Sequence, residues 1–462
     1  MVSERNISNN TVCGKMTDLS STNSAESAVP PLSRVSHGLR ALRHRNFQLF
    51  FGGQLISLIG TWMQNVAQSW LVYRLTGSSF LLGAVGFAGQ IPVFLMAPVG
   101  GIVADRKNRH RVVIATQTAS MLLAFILAEL TLTNLIHVWH VIVLAVLLGV
   151  VNAFDIPARQ AFIADMVGRE DLINAIALNS SMFNGARVVG PAIAGLLVAS
   201  IGEGWCFFGN GISYVAVIIG LLLMRVTWQG TKPSGSPLDG IVEGFQYVRG
   251  TQPIRVLLLL LGLVSLVGMP YAVLMPIFAD RILHRGANGL GILMGATGVG
   301  ALIGALSLAF KRGLKGLGNW VLLSSAGFGA SLILFGISKN FWLSVALLVP
   351  AGYCMMVQMA SSNTLIQSIV PDRLRGRVMS VYSMMFMGMA PFGALGAGVV
   401  AHHLGAPLTL ALGGMACMLG SAAFGMRLPM MQAEARRLIL AQGLAGGDPA
   451  QEIVSQEVSE KA

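Results

Sequence analysis

Charge is what this chain has least of. Only 11% of its 462 residues are Asp, Glu, Lys or Arg, against roughly 25% in soluble domains. With 54% hydrophobic residues and a mean hydropathy of +0.70, the shortage excludes a water-soluble globular protein and makes lipid the solvent for most side chains. Acids are the scarcer sign, 19 against 31 basic residues, for a net charge of +12. That surplus does not point to nucleic acid, because the basic residues lie between apolar runs, where orientation in a membrane accounts for them. The four cysteines, Cys13, Cys206, Cys354 and Cys417, are scattered and mostly flanked by apolar residues, which excludes a disulfide framework. No Gly-x-x-x-x-Gly-Lys-Ser/Thr loop is present, so direct ATP driving by this chain is not expected. There is no His-Glu-x-x-His and no Cys/His cluster with zinc spacing, hence no metal or other cofactor is expected. No convincing acid, base and nucleophile set appears, so the chain does not read as an enzyme. The first 38 residues lack the apolar core of a signal peptide and read as a disordered cytoplasmic tail.

What the chain does have is long apolar runs. About 20 apolar residues cross a bilayer core of roughly 30 Å. Twelve such runs are predicted, at 47–73, 80–103, 111–131, 138–158, 172–200, 205–226, 254–279, 288–310, 319–337, 341–366, 376–401 and 406–427. The links after even-numbered runs carry sixteen Lys and Arg residues, those after odd-numbered runs four. The excess places the even links, and therefore both termini, in the cytoplasm. The longest internal link opens with Lys232-Pro-Ser-Gly-Ser-Pro237, a flexible signal, followed by an amphipathic stretch from Leu238 to Arg249. It divides the chain into a six-helix bundle over 39–226, a cytoplasmic linker over 227–253 and a second bundle over 254–427. A polar cytoplasmic tail, 428–462, follows.

The two bundles are related. Ser57-Leu-Ile-Gly60 in span one matches Ser265-Leu-Val-Gly268 in span seven, and Gly190-Pro191 in span five recurs as Ala390-Pro391 in span eleven. Two parallel repeats suit a transporter that rocks about a midplane site.

Between spans two and three the chain reads Gly101-x-x-x-Asp105-Arg106-x-x-Arg109-x-Arg111. This loop resembles the most specific signature of the major facilitator superfamily, with Asn108 where glycine is usual. Asn tolerates the left-handed turn that glycine would supply there. Leu75-Thr-Gly-Ser78, Asn152-Ala-Phe-Asp-Ile-Pro157 and Asn184-x-x-Arg187-x-x-Gly190-Pro191 resemble the branch that holds the bacterial enterobactin exporter and related macrolide and drug exporters. The likeness covers about residues 39–427. It implies an all-α, twelve-helix fold in the bacterial inner membrane. It also implies that Asp105 meets the N-terminal end of helix eleven, near Gly376 to Val378, in the outward-open state. Gly101, Arg106, Arg109 and Arg111 complete that gating loop. Gly190-Pro191-x-x-x-Gly195 resembles the antiporter motif of exporters in the superfamily. Its proline bends a helix and its glycines allow close approach.

Other candidates follow from the residues themselves. Arg187 sits mid-span, where a charge is costly and points to function. It shares a helix face with Ser180 and Asn184 and has two readings. It either binds an anionic or catecholate group in a cavity, or it is a hydrogen-bond hub beside the Pro191 kink. Asp155 either carries protons or pairs with Arg159, four residues on, as an inner gate. Gln64 and Gln68 belong to a polar stripe on helix one that also holds Gln54, Ser57 and Thr61. Such a stripe lines a cavity or bonds neighbouring helices. Tyr382, with the methionines around it on helix eleven, is a further candidate for ligand contact.

The expected function is export of a small amphipathic molecule (siderophore, macrolide or drug-like) by alternating access. Protons are the expected partner, lipid the surroundings and a monomer the working unit. A nutrient importer or facilitator of the same fold, and a non-transporting membrane sensor or assembly partner, are the alternatives.

Overall fold

The computed structural model describes residues 40–168, 170–224, 226, 237–310, 313 and 316–444. The predicted tail 1–38, the start of the linker and the basic residues Arg169, Arg225, Lys232, Lys311, Arg312 and Lys315 lie outside them. The described chain is helical. In order the helices are α1 (Arg45–Thr76), α2 (Ser79–Arg106), α3 (Arg109–Leu132), α4 (Val138–Val167), α5 (Leu172–Ile201), α6 (Glu203–Leu222), α7 (Pro237–Gly250), α8 (Gln252–Ile282), α9 (Gly286–Phe310), α10 (Leu317–Ile337), α11 (Phe341–Ile369), α12 (Asp372–Leu404) and α13 (Ala406–Leu444). Eleven of them, α2–α6 and α8–α13, are long and apolar enough to cross a membrane by length and composition. The polar stripe dilutes the hydropathy of α1, which at 32 residues is also long enough.

Short corners join the helices because the right residues stand at their ends. Gly77 adopts φ +59° and gives its N–H to Tyr73 O, ending α1 with a left-handed cap. Ser78 then accepts from Leu81 N and opens α2. Asn108 departs from its expected role. Its backbone is extended, with φ −63°, and its side chain accepts from Arg111 N at 3.3 Å, so it caps α3. An N-cap needs a short acceptor side chain and no left-handed backbone, which is why Asn serves in the place of glycine.

Helix α8 is not regular. A π turn spans Val264–Gly268, with Met269 N bonding Val264 O at 3.0 Å, and a second spans Phe278–Ile282. Pro270 and Pro276 lack the N–H that a regular ladder requires, and wide turns of this kind accommodate the break. Ser265 inside the first turn donates to Phe386 O of α12, which fixes the interruption in place. The C-terminal helix also runs past the predicted end of the second bundle. Leu428 and Met431 are buried, and Ala435 and Leu438 pack against the same core, so one apolar stripe carries α13 through Pro429 to Leu444.

In packing, α1 lies along α5 and α6, α2 along α4, and α3 along α4 and α6; α9 lies along α11, and α10 along α11 and α13. Two broad contacts join helices before α7 to helices after it: α5 with α9, and α2 with α12. Both are glycine crossings. A methyl on Gly195 would stand 2.8 Å from the Gly291 Cα, and one on Gly398 would stand 3.0 Å from the Gly83 Cα.

Candidate transport cavity

A cavity of about 280 Å³ opens where α1, α2, α5, α8, α9, α11 and α12 converge. Arg187 of α5 lies on its wall. The guanidinium sits 5.6 Å from the centre of the Trp62 ring. Trp62 is held in place from two sides: a methyl on Gly190 would meet its Cβ at 2.5 Å, and Phe183 abuts its ring edge-on at 5.7 Å. Gly190 of the predicted kink motif therefore brings α5 against α1 and seats the tryptophan beneath the arginine. Pro191 lines the cavity, and Gly195 makes the α9 crossing.

Among the described residues, Arg187 meets few hydrogen-bond acceptors. Its Nη2 lies 3.7 Å from Met355 Sδ, and the Tyr271 hydroxyl stands between it and Thr297 as a partner of both. A guanidinium carries five N–H donors and a thioether is a weak acceptor. Among the described residues, no carboxylate forms an ion pair with Arg187; the ion pairs of the first six helices involve Arg74, Arg109, Arg159 and His44. The remaining wall is largely apolar, with Met269, Met294, Pro270 and Ala394. The π turn before Pro270 carries Met269 to Val273 to this wall.

The two ends of the helix bundle differ. At the end holding the short links after α1 and α8, Tyr73 donates to Asp280 at 2.7 Å and Arg281 donates to Gly77 O at 3.1 Å. Arg74 and Glu203 pair there at 2.7 Å, and both glycine crossings lie on this side of the cavity. At the opposite end, a methyl on Gly101 of α2 or Gly376 of α12 would meet nothing within 4 Å. Asp105 there is 66% exposed and lies 3.8 Å from Arg109. Arg109 reaches further, to Asp165 of α4 at 2.9 Å, a partner the loop motif did not indicate. Arg106 and Arg111 are exposed. The second half of the predicted linker forms α7, and its Glu243 pairs with Arg373 and Arg377 at the start of α12.

Asp155 is buried and does meet Arg159, at 3.1 Å. It also accepts from Thr116 Oγ1 at 2.7 Å and Gln117 Nε2 at 2.9 Å, while Arg159 donates to Gln54 at 3.2 Å. All of these partners belong to α1, α3 and α4. The node pins the first helices to one another and does not reach across to α8–α13.

Several sequence candidates stand away from the cavity wall. Gln64 accepts from Asn210 of α6 at 2.7 Å, Thr61 reaches the Tyr214 hydroxyl of α6 at 3.5 Å and Gln54 accepts from Arg159 of α4, so the polar stripe of α1 serves the contacts with α6 and α4. Gln68 is half-buried farther along the helix. Asn184 donates to Ser180 O of its own helix, and Tyr382 donates to Met359 O at 3.1 Å. Trp62 and Tyr271 had no sequence signal. The first looks like any apolar residue of α1, and the second becomes polar lining only through the break in α8.

A bundle of membrane-length helices around a cavity, with glycine crossings between its first and last helices, is the build of a membrane transporter of the major facilitator type. Over residues 36–447 the chain matches, and belongs to, the transmembrane secretion effector family of that superfamily. It is 27% identical to the staphyloferrin A transporter of Staphylococcus aureus, over 79% of this chain and 92% of that one. It is also 27% identical to the multidrug efflux pump Tap of Mycolicibacterium fortuitum, covering 74% and 85%. To the enterobactin exporter of Shigella boydii it is 26% identical, covering 77% and 86%. In fold it is similar to a bacterial homologue of the lysosomal transporter Spinster in an inward-facing, unoccupied conformation, with a TM-score of 0.62 at 17% identity over 86% and 98% of the two chains.

Proposed function

We propose that this protein is a secondary active transporter that exports a small amphipathic molecule, siderophore or drug-like, from the bacterial cytoplasm in exchange for protons. The observation that carries the reading is the one-sided closure. The α1/α8 end is held by Tyr73, Asp280 and Arg281, while at the Asp105 end a methyl on Gly101 or Gly376 would meet nothing within 4 Å. A site reachable from one side at a time is what alternating access requires. In this reading α1–α6 and α8–α13 are two six-helix halves giving twelve spans, both termini are cytoplasmic, and the structure is the inward-facing state. The chain works as a monomer. Export is supported by two relatives, an exporter and an efflux pump.

In the outward-facing state, Asp105 leaves solvent for the N-terminal end of α12. A carboxylate at a helix N-terminus gains about 0.3–1 kcal/mol when exposed and up to about 2 kcal/mol when partly buried. That is enough to bias a two-state equilibrium several-fold. Gly101, Arg106, Arg109 and Arg111 shape that gate, and the Asp155–Arg159 node keeps the first half rigid as it moves.

The test is uptake into everted membrane vesicles, using a panel of siderophores, macrolides and dyes with an imposed proton gradient. Accumulation that collapses when the gradient is dissipated supports proton-coupled export. Accumulation indifferent to the gradient removes the coupling, and movement only in the opposite direction makes the protein an importer.

A further inference from the structure

We propose that the Arg187 cavity binds an organic anion: a carboxylate or ionised catechol held by the guanidinium, on an aromatic or apolar body packed against Trp62 and the methionines. The proposal rests on reading the chain as a transporter, and it names the substrate class of that site.

The first argument is charge. A permanent cation inside a membrane bundle is costly unless something of opposite sign meets it. Asp155, the buried carboxylate of the neighbouring helices, is already committed to Arg159, Thr116 and Gln117. Among the described residues, a thioether, an aromatic face and a tyrosine hydroxyl stand around Arg187, and no carboxylate pairs with it. None of these neutralises it.

The second argument is geometry. The guanidinium carbon lies over the Trp62 ring. A guanidinium carries five N–H donors, and its planar fork matches the two oxygens of a carboxylate or of a catecholate. Tyr271, beside the arginine, and Thr297 and Gln90 on the same wall supply further polar atoms for the head group.

The third argument concerns the rest of the ligand. Met269, Met294 and Met355 form an adaptable wall, suited to apolar bodies of varied shape. A sugar would leave that wall unused, and a cation would meet Arg187 head-on. At about 280 Å³ the cavity lies just below the range of about 300–1,000 Å³ for drug-sized ligands. It therefore takes one aromatic acid, or the acid-bearing arm of something larger.

The test uses purified full-length protein in nanodiscs and three matched probes: naphthalene-2-carboxylate, its neutral carboxamide and 2-naphthylmethylammonium. Thermal stabilisation is read against probe concentration, with 2,3-dihydroxybenzoate and sodium chloride run alongside. The carboxylate and the catechol acid are expected to raise Tm; the carboxamide, the ammonium and chloride are not. Arg187→Gln is expected to weaken the carboxylate response by about 10- to 100-fold, with Arg187→Lys retaining part of it. Stabilisation by the ammonium or carboxamide equal to that by the acid overturns the proposal. So does an equal response from Arg187→Gln, or no response to either acid. A response reproduced by chloride alone makes the site one for inorganic anions and overturns it likewise. If Arg187→Gln does not fold, the three-probe comparison on the unmodified protein still decides. Binding is read without transport, so failed vesicle uptake with intact acid binding would sink the transport reading and leave this site standing.

Discussion

Tyr73, in the last turn of α1, donates a 2.7 Å hydrogen bond to the carboxylate of Asp280 near the end of α8. The next residue, Arg281, lies 5.8 Å from the Tyr73 ring and donates to the carbonyl of Gly77, the cap of the same helix. Two successive residues of α8 thus grip one helix end. The π turn over Phe278–Ile282 makes this possible by spreading the backbone where they stand.

Removing the Tyr73 hydroxyl should loosen that grip without touching the cavity. Hydrogen bonds to charged groups are worth about 1.5–3 kcal/mol, and this bond, buried only in part, stands at the lower figure. Tyr73→Phe is expected to raise the population open at the α1/α8 end by about tenfold or less. Spin labels at Leu135 and Trp342, both exposed at that end, should report a longer distance in the variant. An unchanged distance distribution would show that the bond contributes nothing to closure.

The Asp155 node predicts a thermodynamic signature. Asp155→Asn leaves Arg159 partly buried beside two amides with no countercharge. Breaking a buried pair from one side costs about 3–5 kcal/mol, and the partial exposure of Arg159, 25%, lowers that figure. The double variant Asp155→Asn/Arg159→Gln is expected to recover part of the loss. A thermal double-mutant cycle checks this, and strictly additive losses would mean the two residues do not act as a pair.

Asp105 predicts the reverse pattern. It is 66% exposed here, so Asp105→Asn should leave Tm within about 1 °C, as exposed substitutions usually do. Its effect belongs to the outward-facing state, and vesicle uptake should fall several-fold. Equal uptake by the variant and the unmodified protein would remove the gating role.

Much of this was legible in the chain, and the exceptions have physical causes. Apolar runs located the helices because lipid burial needs only composition and length. The polar stripe on α1 was equally visible, but a stripe does not say which neighbour it faces, and Gln64 faces Asn210 instead of the cavity. Arg187 stood out as an intramembrane charge. Its partners Trp62 and Tyr271 did not, since they lie on helices far apart in sequence and have ordinary apolar neighbours. Asn108 read as a glycine substitute, whereas its side chain was wanted for a cap. The polar tail read as lying beyond the second bundle until the spacing of Leu428, Met431, Ala435 and Leu438 is seen against the core.

The central claim is that the closed end must open for each molecule carried. Gly86 of α2 and Ala394 of α12 provide a direct handle, because a Cβ at Gly86 would stand 3.2 Å from that of Ala394, close to the roughly 3.5–4.5 Å of a disulfide. In a background lacking Cys13, Cys206, Cys354 and Cys417, the pair Gly86→Cys/Ala394→Cys can be oxidised in vesicles and then reduced. Alternating access predicts that uptake stops as the cross-link forms and returns on reduction. Uptake that continues at full rate in completely cross-linked protein would contradict it.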